Sequence, residues 1–129
     1  MSLRRHQARL RKIAQEAAPA AARALYAGGQ LLESEAERSI TAGAVSGANH
    51  VPSLPGLPPN EDTGTLRRNI ETRVGGPNLV VVESLAPYSA FLEFGTSRLS
   101  PRPYMRPAAE KTRPEITKLV GRAISLTVR

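Results

Sequence analysis

The amino-acid sequence predicts an α+β fold: a long N-terminal helix, an antiparallel β-hairpin or small sheet, and a C-terminal helix packed on it. Three observations carry this. Small and apolar residues recur at helical spacing through residues 10–40, and a helical spacing returns from Ala108 to about Leu126. Between them, two-residue alternation gives way to a β-branched run, which is how two paired strands are written. With 129 residues the chain has the size of one domain, 1–129. Within it, 1–46 reads as a helix or helix pair, 47–64 as a Pro/Gly-rich loop, and 65–129 as the sheet plus the last helix.

The first helix carries Leu10, Ala14, Ala17, Ala21, Leu25, Gly28, Leu32, Ala36 and Ile40 at intervals of three or four. Ser2 is placed to cap its N-terminus. Pro19 should kink or break it, and Gly28-Gly29 is a second weak point. One bent helix and two successive helices both satisfy the pattern. The loop that follows, GANHVPSLPGLPPNEDTG, holds four prolines and three glycines and has no period. Such a long loop is usually functional or flexible. Asp62-Thr63-Gly64 closes it as a turn.

Leu66, Ile70, Thr72 and Val74 then alternate with polar residues, predicting a half-buried strand in which Arg68 breaks the parity. Gly75-Gly76-Pro77-Asn78 supplies a turn, and the run Val80, Val81, Val82 predicts a second strand covered on both faces. Tyr88 to Phe94 is a helical turn or a third strand, after which Gly95 changes direction. Pro101, Pro103 and Pro107 hold residues 100–107 extended. In the last helix Thr112, Ile116, Leu119, Val120, Ala123 and Ile124 share a side.

Composition narrows the function classes. Apolar residues are 40% of the chain, but 18 are alanine and only five are aromatic (three Tyr, two Phe), with no Trp. Burial stabilises in proportion to apolar area, so this core is thin and suits a part stabilised by neighbouring subunits. Cysteine is absent, which excludes disulfides and thiolate chemistry. No apolar run reaches the ~20 residues of a membrane span, and Arg4-Arg5 is not followed by a signal-peptide core. The expectation is a soluble protein kept inside the cell, with no membrane partner. The charge balance, 18 Lys plus Arg against 11 Asp plus Glu, is +7.

No catalytic, metal or cofactor site emerges. His6 and His50 lack a second ligand at metal spacing. No phosphate loop, dinucleotide fingerprint or nucleophile elbow is present. Glu93 is the one acid in the apolar segment AFLEFG. It could serve as a base, but 15 of the 18 basic residues are arginine, and pairing with one of them is the expected role. Two basic clusters remain. Arg4, Arg5, Arg9, Arg11 and Lys12 precede the first acid, Glu16, and positions 5, 9 and 12 share a helical face. The second cluster is spread over residues 98–129. Arg4, Arg5, Arg9 and Lys12 are the candidates for facing DNA, and a solvated helix end is the plainer reading. Aromatics are not interleaved with the first cluster, so sequence-specific readout has no support.

Two spaced segments resemble a known family. HVPSLPGLPPNEDTGTLRRNI, residues 50–70, is similar to the Pro-rich loop and Asp-Thr-Gly-x-Leu-Arg turn of small neck proteins of long-tailed phages. YSAFLEFGTSRLSPRPYMRPAAE, residues 88–110, resembles their second signature: a Tyr-Ala start, a Glu-Phe-Gly-Thr centre and a Pro-x-Pro-aromatic-x-Arg-Pro-Ala end. Ser89 stands where alanine is usual. The family is the gene-product-ten type of phage Hong Kong 97, a tail-component or head–tail joining protein. The likeness spans roughly residues 50–110; the flanking helices agree in kind rather than in letters.

The resemblance implies a virion structural protein without catalysis, located at the neck or tail and assembled in the host cytoplasm. It implies a six- or twelve-fold ring of copies between head-completion or connector proteins and a tail terminator or tail-tube protein. DNA would pass through non-specifically, and no cofactor is implied. Pro52, Pro55 and Pro58 of the loop, with Thr96, Arg98, Pro101, Arg102, Pro103, Tyr104, Met105 and Arg106 of the arm, are the expected interface. Asp62, Thr63, Gly64, Leu66, Tyr88, Glu93, Phe94 and Gly95 are the expected structural motif, with Phe91 and Phe94 in the monomer's own core. Two other readings stand beside this one: a small basic nucleic-acid-binding protein using its helical ends, and an enzyme using Glu93.

Overall fold

The computed structural model describes residues 2–41, 52–53, 56, 59 and 64–128. The order of elements is α1 (Leu3–Thr41), α2 (Thr65–Arg68), β1 (Ile70–Gly76), β2 (Leu79–Ser84), α3 (Ser89–Phe94) and α4 (Met105–Val128). The α+β class and its three main parts are as expected.

α1 is one uninterrupted helix of 39 residues. Ser2 caps it, its Oγ accepting the Arg5 N–H at 3.2 Å. Pro19 removes one donor from the ladder, yet the helix runs through, because Pro19 is exposed and the freed carbonyl can turn to water. Gly28 and Gly29 prove to be contact points rather than weak ones. A Cβ on Gly28 would lie 2.8 Å from Ile116 Cγ2, and one on Gly29 would lie 2.7 Å from Thr72 Cγ2 and 2.9 Å from Val80 Cγ1. The two glycines therefore let α1 lie against α4 on one side and the hairpin on the other.

The hairpin is antiparallel, with Ile70 opposite Ser84 and Val74 opposite Val80, and an irregularity between Val74 and Gly76. The turn is confined to Pro77 and Asn78, Gly75 and Gly76 belonging to β1. Two expectations are corrected here. The first strand begins at Ile70, not Leu66: residues 65–68 form the helical turn α2, entered through Gly64 at φ 81° and closed by Asn69 Nδ2 donating to the Thr65 carbonyl at 2.6 Å. A helical turn explains why Arg68 broke the strand parity. The valine run is not sandwiched either. Thr72, Val80 and Val82 approach α1 through Gly29, while Arg73 and Glu83 form an ion pair at 2.9 Å on the outer face.

The core consists of Ala36, Ile40, Leu66, Ile70, Ala86, Tyr104 and Ala108, with Leu32, Val82, Leu92 and Met105 packed around it. It sits where the C-terminal end of α1 meets the N-terminal end of α4. The helices are antiparallel: Lys111 Nζ reaches Glu35 Oε1 at 2.9 Å, Ile116 lies on Gly28, and Leu119 and Ala123 come beside Ala20 and Ala24. α1 is longer than α4 by 39 − 24 = 15 residues, about 22 Å of helix. Because the core ends are level, the excess lies wholly at the N-terminus of α1, where residues 2–12 are all exposed.

Candidate functional site

The expected arm does not hang free. Thr96 Oγ1 accepts the N–H groups of Arg98 at 3.2 Å and Leu99 at 3.0 Å, making a tight turn. Gly95 enters that turn at φ 75°, where a Cβ would meet the Leu99 carbonyl oxygen at 2.8 Å. Residues 100–103 then run extended, as the prolines require, and are tied down on both sides. Arg102 N–H donates to the Leu92 carbonyl at 2.6 Å, Gly56 N–H to the Pro101 carbonyl at 2.8 Å, and Arg102 Nε to the Ser53 carbonyl at 3.3 Å. The loop and the arm thus meet, within one chain.

The extended run stops sooner than expected. Met105, Arg106 and Pro107 are the first turn of α4, so this helix starts three residues before Ala108. Pro107 is tolerated there because first-turn N–H groups have no helical partner. What starts the helix is Glu93. Its Oε2 accepts the N–H groups of Tyr104 at 2.8 Å and Met105 at 3.2 Å, and its Oε1 accepts that of Arg106 at 2.8 Å. The carboxylate caps α4 from across space and faces the positive end of the helix dipole. The arginine partner expected for Glu93 is replaced by backbone donors.

Two aromatic assignments exchange places. Tyr104, expected at an interface, is 1% exposed and fills the core. Its hydroxyl donates to Ser84 Oγ at 2.7 Å, and burial pushes its pKa above the usual tyrosine value. Phe91 and Phe94, expected in the core, are 55% and 79% exposed. They stand on α3, which packs with Leu92 and anchors through Glu93, leaving both rings outside. With Leu85 and Tyr88, also exposed, they make an apolar knob beside the N-terminus of α4. Exposed apolar residues grouped in this way are a candidate interaction surface.

A second apolar surface lies at the far end of the helix pair. Ala20, Ala24, Leu119 and Ala123, with the more exposed Leu126, line an open groove of about 470 Å³ flanked by Arg23 and Arg122. Beyond it projects the free end of α1, where Arg4, Arg5, Arg9, Arg11 and Lys12 are exposed and, among the described residues, make no ion pair. The sequence pattern could not separate this end from the packed part, since the same stripe runs along both.

The remaining site residues are placed as follows. Pro52, Arg98, Pro101 and Arg106 are exposed, and Pro103 and Met105 half-buried. Gly64 is buried, Leu66 belongs to the core, and Tyr88 precedes α3. His50, Pro55, Pro58, Asp62 and Thr63 lie outside the described residues. Among the described residues no group of three or more His, Cys, Asp or Glu could hold a metal ion, and no helix is long and apolar enough to cross a membrane.

The chain matches a family described as "Bacteriophage HK97-gp10, putative tail-component" over residues 4–95. The match takes in α1 and ends at Gly95, so it is wider on the N-terminal side than the two signatures and leaves the arm and α4 outside. No curated protein and no solved structure shows a significant match. With most of its length covered, from the first turn of α1 through the Glu-Phe-Gly that ends α3, the chain belongs to the HK97-gp10-like family of phage tail components.

Proposed function

We propose that this chain is a non-catalytic neck component of a tailed phage or phage-like particle. In this reading it assembles as a ring of six or twelve copies between the portal-side connector proteins and the tail terminator or tail tube, with DNA passing non-specifically through the centre. The observation that carries the reading is the family membership over residues 4–95. The monomer's make-up supports it: six small-to-medium residues and Tyr104 form the core, while Phe91, Phe94, Leu79 and Leu126 stay outside. A chain that leaves its phenylalanines in water gains from burying them against other subunits.

Electron microscopy of particles made when the gene is deleted from its parent element tests the reading. DNA-filled heads lying apart from finished tails are expected. Normal infectious particles would overturn it. A second reading, a small basic nucleic-acid-binding protein, is favoured by one observation, the cationic end of α1, whose side chains make no ion pair among the described residues. It requires DNA binding that falls steeply with salt in a chain that does not assemble.

A further inference from the structure

The two apolar surfaces lie about 30 Å apart along α4, the α3 knob at its N-terminal end and the groove at its C-terminal end. We propose that they cover each other between copies: Phe91 and Phe94 of one subunit seat in the groove between α1 and α4 of the next. This rests on the self-assembling reading above and names the surfaces it would use.

The match is chemical and geometric. The groove is lined mainly by alanine and leucine with no acid among its lining residues, and it is open to a neighbour's apolar side chains. Its rim carries two guanidinium groups, Arg23 and Arg122, with no ion pair among the described residues. Guanidinium groups stack on aromatic faces, and the knob offers two exposed phenyl rings and Tyr88. The groove is also longer than α4 makes it. Leu10, Ile13 and Ala17 continue the spacing of Ala20 and Ala24, so the free end of α1 extends one wall past the end of α4. An inserted knob would cover that wall together with the floor. Since donor and acceptor are different patches, each copy uses one of each, which gives a head-to-tail contact that closes into a ring or runs on as a filament.

The absence of cysteine makes a clean test possible. Phe94→Cys and Leu126→Cys are each introduced alone; the parent side chains are 79% and 65% exposed, and circular dichroism checks that both proteins fold. Mixed under mild oxidation, the two proteins should form a disulfide-linked dimer that neither forms alone. One chain carrying both cysteines should give a ladder of higher multimers. Independently, Phe91→Ala with Phe94→Ala should weaken self-association about 30-fold or more, as loss of a central aromatic anchor does. Homodimers of Phe94→Cys alone would overturn the proposal in favour of a symmetric contact. A wild-type chain that sediments as a multimer but never links the two positions would overturn this contact and leave the ring standing. A chain that is monomeric and unlinked at every concentration would overturn both.

Discussion

Replacing Glu93 by alanine removes the acceptor of three backbone N–H groups at once, and the structure sets the size of the loss. Tyr104 is buried, so its N–H is the hardest to return to water; an unsatisfied buried donor costs about 1–3 kcal/mol. The N–H of Arg106, an exposed residue, can find solvent at a cost of about 0.5–1 kcal/mol. Loss of the negative charge at the helix N-terminus adds about 0.3–1 kcal/mol. The expected destabilisation is therefore about 2–5 kcal/mol, or roughly a 10 °C fall in Tm for a domain of this size. Glu93→Gln keeps one acceptor oxygen in place of two and turns an amide N–H₂ toward a donor, so it should fall between alanine and the parent. Urea unfolding followed by circular dichroism measures all three. An alanine variant within about 0.5 kcal/mol of the parent would refute the cap, since helix caps cost more than that when removed.

Three further outcomes follow from the same structure. Gly95→Ala should lose about 1–3 kcal/mol by urea unfolding, because φ 75° with ψ 177° is a conformation almost confined to glycine and the Cβ would collide with the Leu99 carbonyl. Gly29→Ala should destabilise despite the roughly 1 kcal/mol helix-propensity gain, since the methyl meets two β-branched side chains below 3 Å; Thr72→Ser in the same chain should recover part of the loss. The Glu35 carboxyl is held down to about 2 by hydrogen bonds from Arg38 and then Lys111. Its folded pKa lies below the ordinary 4.5, so its contribution is complete above about pH 4.5 and is lost as pH falls toward 2. Lys111→Ala should flatten unfolding stability across that window by up to about 1 kcal/mol, the pair's cation being well exposed.

The elements were legible where period alone decides. Helical spacing found α1 and α4, and alternation with a β-branched run found β1 and β2. What periodicity could not show was which side chains the tertiary contacts consume. Leu66 sits on the strand parity by coincidence: the left-handed Gly64 ahead of it and the Asn69 side chain behind it turn the chain into a helical turn first. Tyr104 and the phenylalanines have the same local signature, large aromatics beside arginines. Glu93 decides between them. By holding the N-terminus of α4, it draws Tyr104 inward and fixes α3 with Leu92 facing the core, and the alternate positions 91 and 94 then point out. A contact between residues eleven apart in sequence has no period, and nothing in the residue types favours backbone over arginine as the partner of a carboxylate.

The stripe along α1 is the more instructive ambiguity. It runs from Leu10 to Ile40 without a break, and read as a sequence it promises one buried face. Burial begins in earnest only at Ala20, because the helix α4, which ends at Val128, does not reach what lies before. The length difference between the two helices, not the pattern on either, marks the boundary between the monomer's core and its free surface. An apolar face that outlasts its intramolecular partner has two physical outcomes: it stays wet, at a cost in stability, or it is covered by another molecule. The other sides of the same helical end carry five cations, Arg9 bordering the apolar stripe at Ile13 and Arg4 and Arg11 standing opposite it, and their charge favours solubility at that end. In the proposed assembly the free end of α1 would serve two surfaces at once, an apolar wall toward the next subunit and a cationic face toward solvent or DNA. Arg4→Glu with Arg11→Glu should then weaken any DNA binding while leaving the Phe94–Leu126 link intact, and loss of the link in that variant would show that the two faces are not separable.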